Sequence, residues 1–141
     1  MSEDDDEQLE ERTGLVFVDP DARSRTAAES LEEAIGRRIL AVDPSELDLA
    51  AESEEIQQAA VFVLCWDQGF RCAADLVEAL RASDDYRDRA ILVATSEPTR
   101  RLVVLAMALG ADGLCRMPWD GDELAAALDR LGIPKPAEAA A

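Results

Sequence analysis

The chain has 141 residues, 48% of them apolar, which suits one domain around a single core and is too short for two ordinary ones. Its net charge is −17, and its 14 basic residues stand singly or in pairs such as Arg37-Arg38 and Arg100-Arg101 among 31 acids, a pattern that repels phosphate backbones and excludes nucleic acid as a partner. Histidine is absent and the three cysteines lack C-x-x-C spacing, which removes His-dependent triads, His general bases and most zinc sites, so no cofactor is expected. No charged-then-apolar leader and no apolar run of about eighteen residues occurs, so membrane insertion is not expected and the cytoplasm, with reduced thiols, is the expected location.

Residues 1–13 are polar, with seven acids between positions 3 and 11, and read as a disordered acidic arm. Leu15-Val16-Phe17-Val18 is a short continuous apolar run ending at Asp19-Pro20-Asp21, the pattern of a strand buried on both faces that opens into a loop. Ala27, Ala28, Leu31, Ala34 and Ile35 recur at helical spacing over 22–35, and Gly36 is placed to end that helix with positive φ. Arg38 to Val42 is the second strand. Ser45 with Asp48 three residues on predicts a capped second helix over roughly 46–58. Val61 to Trp66 is the third strand, followed by a helix through Cys72, Leu76 and Leu80; Ala90 to Ala94 is the fourth. Pro98 opens a fourth helix that runs through Leu102, Leu105 and Leu109 to Gly110. Gly113 to Arg116 is the fifth strand, and Asp120 or Asp122 caps a last helix ending at Gly132. Residues 133–141 read as a Pro/Ala tail or the start of a linker, and 14–132 as the domain.

Five apolar strands alternating with five helices predict an α/β fold, a doubly wound parallel sheet whose functional crevice lies beyond the carboxyl ends of the strands. Those ends present Asp19, Cys65, Thr95 and Met117, and none is followed by G-x-G-x-x-G or a Walker-type loop, so no nucleotide cradle is expected.

Taken in order, Phe17-Val18-Asp19-Pro20-Asp21 with Arg25, Leu64-Cys65-Trp66, Val93-Ala94-Thr95-Ser96, Gly110-Ala111-Asp112-Gly113 and Met117-Pro118-Trp119 resemble the receiver domain of bacterial response regulators, the CheY-like family. The resemblance covers roughly residues 14–132 and implies a five-stranded sheet of order 2-1-3-4-5 with a cis bond before Pro118. A base content of thirteen Arg to one Lys suggests a GC-rich bacterial genome or a salt-adapted one. In that family an acid pair after the first strand helps hold Mg²⁺, an Asp ending the third strand takes the phosphoryl group, and a Lys before the proline contacts its oxygens. A Thr or Ser ending the fourth strand and an aromatic on the fifth relay the change. Here the acid pair is Asp19-Pro20, the acceptor position is Cys65, the Lys is Met117 and the aromatic is Leu114; Asp19 and Thr95 alone match. Too few carboxylates remain for Mg²⁺, and a thioether does not neutralise phosphoryl charge, so the resemblance implies a degenerate pseudo-receiver that is not an enzyme.

The expected role is therefore phosphorylation-independent binding of another signalling protein, in signal transduction or localisation. The resemblance places the docking face on the fourth helix, fifth strand and fifth helix, with Arg100, Arg101, Leu114 and Trp119 as candidates, Trp119 as an exposed aromatic there. The same face allows a monomer or a weak homodimer. Two alternatives stand beside it: phosphorylation at Asp67, two residues past the acceptor position, and a thiol redox sensor at Cys65 with Cys72 as resolving partner. Asp19 is either a relic carboxylate or a weak cation site.

Overall fold

The computed structural model describes residues 13–47, 53–66 and 70–133, with side chains in the last stretch from residue 73 onward. The acidic arm before Thr13, the tail after Ile133, and Asp67 lie outside the described residues. Five strands, β1 (Gly14–Val18), β2 (Ile39–Val42), β3 (Ala59–Cys65), β4 (Ala90–Thr95) and β5 (Gly113–Arg116), form one sheet of order β2-β1-β3-β4-β5. Every neighbouring pair is parallel, as the continuous apolar runs predict for strands covered on both faces. The connections are α1 (Ala22–Glu29, with a further turn at Glu32–Ile35), α2 (Glu54–Gln57), α3 (Phe70–Ala82) and α4 (Arg100–Leu109), and α5 (Gly121–Arg130) closes the order.

Strand periodicity sorts the core into two layers. Phe62, Leu64, Ile91 and Val93 point to one side, where Ile56 of α2, Val77 and Leu80 of α3 and Ala106 of α4 cover them. Phe17, Val61, Val63 and Leu92 point to the other, against Ala28 of α1 and Leu124, Ala127 and Leu128 of α5. The amphipathic helix expected over 22–35 is interrupted at Ser30, whose hydroxyl donates to the Ala27 carbonyl at 2.6 Å and competes with the helical ladder. Gly36 then takes φ 73°, the left-handed value that ends the segment.

The second helix departs from expectation. Ser45 does not cap it: the Asp43 side chain accepts from the Ser45 N–H while Glu46 reaches back to the Asp43 N–H at 3.2 Å, so Pro44–Glu46 closes as a separate 3-10 turn, and Ser53 stands at the N-cap of the helix itself. The described α-helical part is Glu54–Gln57.

Three arginines fasten the scaffold. Arg37, buried, donates to the carbonyls of Thr13 at 3.0 Å and Ile133 at 3.1 Å, tying together the points where the chain enters and leaves the fold. Arg89 donates to the Ala59 carbonyl at 3.0 Å. Arg81 donates to the Gly110 carbonyl and to Asp112 Oδ2, 2.8 Å away, and the same carboxylate accepts from the Ile91 N–H at 2.8 Å. The Asp of Gly-Ala-Asp-Gly thus has a structural reason: it joins the start of β4 to the end of α4.

Candidate functional site

Parallel topology brings the carboxyl ends of β1, β3, β4 and β5 to one edge, and four of the predicted residues meet there. Asp19 is 1% exposed. Its Oδ1 accepts from the Asp21 N–H at 2.9 Å and its Oδ2 accepts a short hydrogen bond from the Ser24 hydroxyl, so both carboxylate oxygens are engaged by the loop into α1. Arg25 donates to the Asp19 carbonyl at 2.8 Å and lies 3.5 Å from Asp43. Pro20 faces solvent and Asp21 caps α1, accepting from the Arg23 N–H at 2.8 Å.

Cys65 ends β3, buried, with its Sγ 3.6 Å from Met117 Sδ. At the acceptor and lysine positions of the resemblance there is a thiol–thioether contact, in which neither atom carries charge to place on a phosphoryl group. Cys65 and Cys115 occupy one row across β3, β4 and β5, each opposite Ala94. Two strand spacings put their Cα atoms about 10 Å apart, beyond the roughly 7 Å limit for a disulfide. Burial in the apolar layer, with Glu123 and Cys65 adding to it, pushes the Cys115 thiol up to about 12. Thr95 is buried, and its hydroxyl oxygen accepts from the Glu97 N–H at 3.1 Å. The Met117–Pro118 bond is cis, as the resemblance predicts.

The placement of Trp119 corrects an expectation. Its indole lies on the α1/α5 side of the sheet, edge-on to Phe17 with centroids 4.8 Å apart, and its Nε1–H donates to Ser24 Oγ at 3.0 Å. A half-buried ring in that layer does not belong to the outer α4 surface. The reason is Ser24, whose hydroxyl and carbonyl oxygens, the latter at 3.2 Å, both accept from the indole N–H where the ring packs. Trp119, Ser24 and Asp19 so form one hydrogen-bonded chain from the β5–α5 loop to β1, a network joining residues 95 apart in sequence that no local pattern reveals.

Mg²⁺ as the resemblance implies it does not fit this site. Asp19 is the one carboxylate at the expected positions, and both its oxygens are already hydrogen-bonded within the chain. Among the described residues no group of three or more His, Cys, Asp or Glu side chains is arranged to hold a metal ion.

The second feature lies on the outside of α4. Arg100 and Arg101 are exposed in its first turn, behind the Thr99 cap, where there is no acid and the helix dipole disfavours positive charge. Among the described residues, every exposed large apolar side chain is on this helix: Val103 at 36%, Val104 at 62%, Leu105 at 37% and Met107 at 48%. Arg100, Arg101, Val104, Leu105 and Ala108 line a shallow apolar groove. Leu114, half-buried, packs beneath α4 and carries no polar handle. Val104 and Met107 were not singled out in the sequence, although a helix apolar on all sides, Leu102-Val103-Val104-Leu105-Ala106-Met107, is the signal of one with more than a core to cover.

Neither a family model nor a curated protein matches the chain in sequence. Solved structures do match in shape. The chemotaxis protein CheY4 of Vibrio cholerae is similar at TM-score 0.72 and 21% identity, over 84% of this chain and 97% of that one. A response regulator protein from Burkholderia multivorans is similar at TM-score 0.63 and 24% identity, over 86% and 95% of the two chains. A response regulator receiver domain protein from Clostridium thermocellum is similar at TM-score 0.68 and 18% identity, over 84% and 92%. The chain therefore has the fold of CheY-like response regulator receiver domains along nearly the whole of that domain.

Proposed function

We propose that this chain is a receiver-like module of bacterial signal transduction or protein localisation that works without phosphorylation, as a non-catalytic unit binding another protein through the outer face of α4. The observation that carries the reading is the state of the strand ends. The carboxylate of Asp19 is committed to Ser24 and the Asp21 amide, and a sulfur pair, Cys65 and Met117, stands where phosphotransfer needs a carboxylate and an ammonium. The binding half is supported by α4, whose exposed apolar residues and dipole-opposed arginines stay open to solvent among the described residues. The partner is another signalling protein; a weak homodimer through the same face is the alternative use of it. Among the described residues no helix is long and apolar enough to cross a membrane.

Capture of the partner by the full chain and two variants tests this reading. Arg100→Glu with Arg101→Glu is expected to weaken capture at least tenfold, while Cys65→Ser leaves it unchanged. The reverse pattern would move the functional site into the crevice and favour the thiol-sensor reading.

A further inference from the structure

The sulfur at the strand ends has a chemistry of its own. We propose that the thiolate of Cys65 and the thioether of Met117 together bind one soft monovalent metal ion, copper(I), at the corner where β3 and β5 end. Convergence is the first argument. Cys65 ends β3, Met117 follows β5, and their side chains meet across β4, with the Cys65 thiol donating to Met117 Sδ at 3.6 Å. A lone pair of the thioether is thus already aimed at the thiol proton, which a metal ion replaces on binding. Two sulfurs 3.6 Å apart hold one ion at bonds of about 2.3 Å, the ordinary metal–thiolate length, with an angle of about 103° at the metal. The unbranched Met117 side chain, with its rotatable bonds, widens that angle without moving the strand.

Donor chemistry selects the ion. Thiolate and thioether are soft donors that favour copper(I) over the hard cations held by carboxylates and water. Asp19, the carboxylate of the same edge, has its oxygens engaged by the Asp21 amide and the Ser24 hydroxyl, so it offers no competing hard site. Charge points the same way. Copper(I) entering as the Cys65 proton leaves to solvent does not change the charge of the corner, whereas a divalent ion on the same thiolate leaves the pair with a net positive charge. That difference is large because the corner is dry: Cys65 and Cys115 are buried, with the buried Ala94 between them in one row of the sheet. Met117 is half-buried and Pro118 exposed, so the ion approaches from the β5–α5 loop. Burial keeps the Cys115 thiol protonated to about pH 12, so it supplies no second thiolate.

Anaerobic titration of the full chain with copper(I) buffered by ferrozine tests the site, with methyl-labelled methionine to locate the ion. One copper(I) per chain is expected, with one proton released, and the Met117 methyl resonance should move while those of Met1 and Met107 stay. Cys65→Ser should weaken binding about a hundredfold and Met117→Leu about tenfold, while Cys72→Ser and Cys115→Ser leave it within about twofold. Met117→Leu nearly keeps the side-chain volume, so its loss of binding reads the sulfur and not the fold. Zinc in the same assay should leave the Met117 methyl in place. Four results would overturn the proposal: no copper(I) taken from ferrozine, uptake that survives Cys65→Ser, uptake indifferent to Met117→Leu, which would give the ion to a cysteine alone, or zinc bound as well as copper(I).

Discussion

At the carboxyl ends of β1, β3 and β5 the reactive side chains face one another, whereas on α4 the side chains with most to gain from a neighbour face outward. Asp19 is held by Ser24, Ser24 by Trp119, and Cys65 by Met117. On α4, Val104 is 62% exposed and stands beside two arginines that work against the helix dipole. Buried polar groups satisfied in this way add to a unique fold, while exposed apolar groups cost free energy until something covers them. The difference teaches where change is affordable: substitutions at the strand ends should register in stability, and substitutions on α4 in binding.

The largest expected effect is at Phe17, fully buried and stacked edge-on to Trp119, where Phe17→Ala should cost about 3–5 kcal/mol in denaturant unfolding. Ser24→Ala comes next. It leaves a buried carboxylate oxygen without its hydroxyl donor, while the indole N–H keeps the Ser24 carbonyl at 3.2 Å, and should cost about 1–3 kcal/mol with a change in Trp119 fluorescence. A cost under about 0.5 kcal/mol would mean that water replaces the hydroxyl and that the network holds nothing together.

Alkaline pH probes the same side of the sheet. The folded Cys115 thiol titrates near 12 against about 9 in the unfolded chain, so the native state retains the proton longer. The corresponding stability is complete below about pH 9 and is lost as pH rises toward 12, with a slope of up to about 1.4 kcal/mol per pH unit. Cys115→Val should flatten that slope in unfolding curves taken across the window. The smallest effect has the most telling sign. Arg100→Glu with Arg101→Glu places acids at the positive end of α4 and should raise stability by about 0.3–1 kcal/mol per residue while partner capture falls. A loss of stability would mean that the arginines serve the fold, and the contrast between the two regions would fail.

The architecture was legible because each strand is a short apolar run and each turn carries its own chemistry. Gly36 has the positive φ expected of a helix end, and Met117–Pro118 is cis as the x-Pro-aromatic stretch implies. The second helix was misread at its start because Asp43 accepts from both the amide and the hydroxyl of Ser45, so the Ser45 side chain is occupied as a donor and caps nothing. The strand-end residues were legible as a list, since parallel topology must bring them to one edge. Their connections were not. Ser24 and Trp119 meet only because α1 and the β5–α5 loop pack over the same sheet face, and Trp119 was placed on the wrong surface for want of that contact. Arg37, Arg81 and Arg89 escaped notice for a related reason: arginine is ordinarily an outside residue, and its use as a clamp on backbone carbonyls depends on segments far apart in the chain.

The most direct test of the central claim, that the strand ends no longer form a phosphoryl site, is the thermal midpoint of the full chain titrated with beryllofluoride in millimolar Mg²⁺. A ligand that binds only the native state must raise the midpoint by mass action. The account predicts a flat titration. A saturable rise, with Asp67 or any other carboxylate as the seat of binding, would contradict it and return the chain to the phosphorylated receivers.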